Sequence, residues 1–212
     1  MKKELERRNY QFEVRAEEGE DGIKLLTGRP IVYNSLTDIG GWFQEEIVRG
    51  ALNETDLTDV RFLVNHNTDM IPLARSRRNN GNSTMQMTVD TEGLFLNKIE
   101  LDVENNSDAR ALYSAVQRGD LDGMSFMFSV EDEEWDYANP DYPTRRINKI
   151  GSVIEVSAVT WPAYDSTFIN SRSDEVLESA KAALERAKEL REASVETEDV
   201  MLARAKFKFY SI

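Results

Sequence analysis

The sequence predicts an α+β fold that is mostly strand, with helix confined to one internal segment and to the C-terminal end. Three observations carry this. Short runs that alternate apolar and polar residues recur from residue 9 to residue 159. One segment, 107–118, repeats its apolar residues at helical spacing. After residue 173 the composition shifts to Ala, Glu, Lys and Leu. A period of two marks half-buried strands and a period near 3.6 marks an amphipathic helix. With 212 residues, 40% of them hydrophobic and 31% charged, the chain can bury a sizeable core.

Residues 9–15 alternate and read as the first strand. Asp21-Gly22 is a turn signal, and Ile23 to Leu26 reads as a second strand. Gly28-Arg29-Pro30 punctuates, and Ile31-Val32-Tyr33 resumes an extended run. Gly40-Gly41 precedes Trp42-Phe43. Val60 to Val64 is a nearly continuous apolar run, read as a buried strand ended by Asn65-His66-Asn67. Thr84 to Val89 and Leu94 to Leu101 flank Asp90-Thr91-Glu92-Gly93, a hairpin pattern. In the helix, Ala109, Leu112, Tyr113 and Val116 share a face, and Gly119 stops it. Met124 to Val130 is a strand candidate, and the acidic cluster Glu131 to Glu134 reads as the start of a loop through Pro143. Val153 to Val159 is a β-branched strand stopped by Trp161-Pro162. Leu177, Ala180, Leu184 and Ala187 then mark a helical stripe, with Lys181–Glu185 and Lys188–Glu192 spaced for i,i+4 pairs. The predicted division is a body over 1–173 and a helical, acidic appendage over 174–212.

Composition narrows the chemistry. The chain has no cysteine, which removes disulfides, thiol catalysis and thiolate metal sites. A single histidine, His66, cannot build a His-rich zinc site within one chain. No cofactor and no metal are expected. The net charge of −13 disfavours nucleic acid as a partner. No apolar run approaches the ~18 residues of a membrane helix, so no membrane partner is expected. Met1 to Arg8 is charged throughout, which predicts no signal peptide and a reducing, intracellular setting.

Three residues can do chemistry together. His66 closes an apolar strand between two asparagines, where polar side chains reach a rim. Ser125 opens a hydrophobic strand after Gly123, a placement that can present its hydroxyl at a strand edge. Glu155 shares a strand face with Val153, Ser157 and Val159, and a carboxylate there is costly unless paired. Each residue also has an ordinary structural reading. A serine hydroxyl needs a base to take its proton, and a histidine base needs an acid to orient it. The inventory permits one such triad: Ser125, His66 and an acid.

These segments resemble the tailed-phage prohead proteases, capsid-maturation serine peptidases related in fold to the herpesvirus assemblins. The resemblance runs from about Arg15 to about Ser171. Its pieces are Gly28 to Ser35, Phe43 through Gly50-Ala51-Leu52, Val64-Asn65-His66-Asn67, the helix leading to Gly123-Met124-Ser125-Phe126, and Glu155 to Ala163. It implies His66 as the catalytic histidine, Ser125 as nucleophile and Glu155 as third member. The herpesvirus relatives use a second histidine as third member. This chain has none, so Asp69 and Asp122 stay open as alternatives. Family members often carry glycine two residues after the serine, where this chain has Met127.

The resemblance further implies a β-barrel flanked by helices, work as a homodimer, and packaging inside the prohead in the host bacterial cytoplasm. The implied substrate is the major capsid protein or a scaffold, with cleavage of the chain itself in some members. The segment 174–212 then suits a packaging or self-cleaved tail, or equally a helix docked on the body or pairing between subunits. A second functional reading is a catalytically silent assembly or scaffolding protein that uses the C-terminal helix.

Overall fold

The computed structural model describes residues 5–10, 14–19, 22–160 and 178–193, apart from the side chains of residues 9 and 10. Among the described residues, eleven strands form two sheets. A seven-stranded sheet runs β1 (Glu6–Tyr10), β10 (Gly123–Asp136), β11 (Thr144–Val159), β5 (Phe43–Ile47), β4 (Thr37–Ile39), with β6 (Asp59–Val64) on β11 and β7 (Ala74–Arg77) on β6. A four-stranded sheet runs β2 (Val14–Glu18), β3 (Lys24–Val32), β9 (Gly93–Leu101), β8 (Met85–Val89). One core joins them, including Leu26, Ile31, Phe62, Leu94, Leu96, Ile99, Phe126, Phe128 and Val156. Helix α1 (Ser107–Gln117) buries Ala109, Leu112, Tyr113 and Val116 against it. Asn106 caps α1 by accepting from the Asp108 and Ala109 N–H groups. Gly119, at φ 74°, follows its last turn.

The α+β class and its strand-rich character match the expectation. The pairings do not close into a barrel among the described residues. The reason lies in β11. Its first half runs parallel to β5 and its second half parallel to β6, so the sheet forks instead of curling onto itself. Strands β2, β3, β8 and β9 pair among themselves.

Other expectations shift at their boundaries. Residues 9–15 contribute to two strands of different sheets, β1 and β2, and not to one. Gly28-Arg29-Pro30 does not interrupt β3; register shifts on either side of Gly28 absorb the proline, which lacks a ladder donor. The acidic cluster Glu131 to Glu134 is strand, because β10 continues to Asp136 against the equally long β11. The turn at Gly93 demands glycine: at φ 145°, an added Cβ would lie 2.0 Å from the Ile31 carbonyl oxygen.

A helix over 178–193, α2, packs Ala180 and Leu184 onto Ile39 and Phe43, flanked by Trp42 and Trp135. Leu177, the Trp161-Pro162 stop and the tail beyond 193 lie outside the described residues. No helix among the described residues is long and apolar enough to cross a membrane.

A buried ion cluster pins β1 to this framework. Arg8 and Arg145 are both 0% exposed. Arg8 forks onto Glu45 (2.6 and 2.9 Å) and donates to Glu6 (2.7 Å). Arg145 reaches Glu6 (2.7 and 2.8 Å), Glu45 (2.9 Å) and Glu133 (2.8 Å). From α2, Ser179 accepts from Arg8 at 3.2 Å and Arg186 approaches Glu6 at 3.6 Å. Burial alone would push the Glu6 carboxyl up, but Arg8 and Arg145 outweigh it and hold its pKa at about 2. Burial would likewise lower both guanidinium pKa values, yet the surrounding carboxylates raise them above their ordinary range.

Candidate active site

The site forms where β6 ends beside β10 and β11. β6 pairs in parallel with β11 up to Val64↔Ala158, and the Asn65 N–H extends the ladder to the Ala158 carbonyl at 2.9 Å. The chain then leaves the sheet through two left-handed residues, Asn65 at φ 52° and His66 at φ 55°. Such consecutive non-glycine positions are costly and persist where neighbours hold them. Here the Asn65 side-chain oxygen accepts from the Thr160 N–H (3.0 Å) and hydroxyl (3.2 Å), just past β11. The His66 N–H donates to Ser157 Oγ at 3.1 Å. The polar residues that end β6 therefore turn the imidazole back over the sheet.

β10 supplies Ser125 and β11 supplies Glu155 and Ser157, with Ser125 directly opposite Ser157 in the register. Ser125 Oγ lies 2.5 Å from His66 Nε2. His66 Nδ1 hydrogen-bonds Glu155 Oε1. The other Glu155 oxygen accepts from Ser157 Oγ at 2.6 Å. Glu155 is 1% exposed, so both of its oxygens are engaged away from bulk water. A proton on Nδ1 donated to Glu155 leaves Nε2 free to accept from the serine, the tautomer that a general base requires.

The three residues singled out in the sequence thus converge from positions 59 and 89 residues apart. Asp69 is exposed and its N–H is tied into a turn with Asn67. Asp122 is exposed, and its carbonyl accepts from the Val14 N–H. Of the three carboxylates weighed, Glu155 is the one that reaches the imidazole.

Two features escape a sequence reading. Alternation places Ser157 on the face of Glu155, but nothing local says that it bridges Glu155 to the His66 backbone. The other feature corrects the picture of Ser125 at an open strand edge. β10 is flanked on one side by β11 and on the other by β1, and Ser125 is 0% exposed. Its Oγ also donates to the Arg8 carbonyl of β1 at 2.8 Å. Among the described residues, no group of three or more His, Cys, Asp or Glu could hold a metal ion.

A buried serine, imidazole and carboxylate in this order can carry nucleophilic acyl transfer. Comparison with protein families finds a match over residues 10–182 to the family described as caudovirus prohead serine protease. That stretch contains His66, Ser125 and Glu155. No curated protein and no solved structure matches the chain.

Proposed function

This chain belongs to the caudovirus prohead serine protease family, and on that premise we propose that Ser125 is its nucleophile, His66 its general base and Glu155 the carboxylate that orients His66. The observation supporting this reading is the 2.5 Å approach of Ser125 Oγ to His66 Nε2, with Nδ1 held by a buried carboxylate. As Oγ attacks a peptide carbonyl carbon, its proton passes to Nε2. The imidazolium, stabilised by Glu155, returns that proton to the leaving amine, and an acyl-enzyme remains. Water then gives a proton to Nε2 while its oxygen attacks the acyl carbon, and His66 reprotonates Ser125 as the acid leaves.

The substrate we propose is the scaffold, or the scaffolding segment of the major capsid protein, cut inside the prohead. Kinship to the herpesvirus assemblins, work as a homodimer and self-cleavage within 174–212 belong to the same proposal. Mass spectrometry of capsid precursor co-expressed with wild type or with Ser125→Ala tests it. Defined fragments are expected with wild type and intact precursor with Ser125→Ala. Identical fragments from both would remove Ser125 from the mechanism. Intact precursor in both would favour a silent assembly role.

A further inference from the structure

The nucleophile proposed above is closed in by the chain's own N-terminal strand. In the register between β1 and β10, Arg8 lies opposite Phe126, Asn9 opposite Ser125 and Tyr10 opposite Met124. Backbone from β1 therefore runs alongside the nucleophile. Ser125 is 0% exposed and the His66 side chain 10% exposed. A substrate carbonyl must come within about 3–3.5 Å of the serine oxygen to react. The serine also has one proton and two acceptors in reach, the Arg8 carbonyl at 2.8 Å and His66 Nε2 at 2.5 Å. While the proton points at Arg8, the imidazole has none to take.

We propose that β1 is an intramolecular inhibitor, a strap that must leave the edge of β10 before a peptide can reach Ser125. This rests on the reading of Ser125 as nucleophile. The ion cluster is built so that the strap can go. β1 brings Glu6 and Arg8, which pair with each other at 2.7 Å. Their departure removes one charge of each sign. Arg145 keeps Glu45 at 2.9 Å and Glu133, so the body is not left with an unpaired buried cation, the outcome that makes breaking such clusters expensive. α2 holds the strap through Ser179 to Arg8 and Arg186 to Glu6. Residues 6–9 also lie outside the stretch matched to the family, whereas every proposed catalytic residue lies inside it.

The absence of cysteine makes a clean test possible. Arg7 and Met127 face each other in the register, within the Cα separation a disulfide spans. In the full chain carrying Arg7→Cys and Met127→Cys, oxidation should slow labelling of Ser125 by a fluorophosphonate, and cleavage of capsid precursor, by at least about tenfold, and reduction should restore both. A second variant, Glu6→Gln with Arg8→Met, loosens the strap without adding charge and should label at least about tenfold faster than wild type. Equal labelling of the oxidised and reduced forms, with the disulfide verified by mass, overturns the strap. So does a loosened variant that labels no faster than wild type, including the case in which no form labels. Labelling that persists in Ser125→Ala fails the nucleophile assignment instead, so the two failures are distinguishable.

Discussion

Two buried polar clusters hang on the same pair of strands, β10 and β11, and they are built on opposite principles. One joins Ser125 and Ser157 to His66 and Glu155. The other joins Arg8 and Arg145 to Glu6, Glu45 and Glu133. In the first, groups are arranged so that a proton can change owner: a hydroxyl, an imidazole with two inequivalent nitrogens, and one carboxylate. In the second, no proton changes owner. The guanidinium groups are pushed further from deprotonation, and Glu6 is held ionised down to about pH 2. A buried cluster can pass a proton where a neutral donor meets an acceptor, and is structural where partners of opposite charge lock it.

Removing groups from each cluster should therefore fail in different ways. The largest effects belong to the mobile cluster. Ser125→Ala or His66→Ala should each lower kcat by ~10⁴- to 10⁶-fold, with the double variant little worse than either single one. Glu155→Gln should cost up to ~10⁴-fold by favouring the wrong tautomer, while Asp69→Asn and Asp122→Asn stay near wild type. Single-turnover cleavage of capsid precursor measures all of these, and a disabled Asp69→Asn with an active Glu155→Gln would move the third role to Asp69. In the locked cluster, Arg145→Met leaves Glu45, Glu6 and Glu133 with too few cations. It should cost ~3–5 kcal/mol in urea unfolding while removing no group from the Ser125, His66 and Glu155 cluster.

Smaller effects sharpen the contrast. Ser157→Ala should lower kcat by roughly tenfold with little change in KM, because it frees one oxygen of Glu155 and the His66 N–H, a loss of ~1–3 kcal/mol in hydrogen bonding. Ser157→Thr, which keeps the hydroxyl, should recover most of it. Loss of stability without loss of kcat would make Ser157 a packing residue. The last contrast is Glu6 against pH. Its folded pKa, about 2, lies below its unfolded value near 4.5, so its contribution is present above the unfolded value and fades as pH falls toward 2. Glu6→Gln should flatten the acid slope of unfolding stability between those limits. An unchanged slope would show that Glu6 is not the group titrating there.

Much of this was legible locally. The pattern of Ala109, Leu112, Tyr113 and Val116 foretold α1, and the hairpin over 84–101 was plain from its alternation and Gly93. The long reach of β10 and β11 was not. Glu131 to Glu134 reads as loop by composition, and the strand there is sustained by pairing with Lys149, Ile147 and Arg146 of β11. Alternation could put Glu155 and Ser157 on one face without choosing among Glu155, Asp69 and Asp122.

The sequence by itself determined the chemical inventory, one histidine, no cysteine and a serine beside a glycine turn, together with the period of each strand and the helical stripe that became α1. These are properties of neighbours in the chain, and periods of 2 and 3.6 record them. Tertiary structure decided that Glu155 meets His66, that the described strands pair into two sheets without closing a barrel, and that β1 lies beside Ser125. Those depend on contacts between residues 89, 59 and 117 positions apart. Long-range pairing is selected by the burial of both faces and by matching charges across strands, and no window along the chain contains both partners.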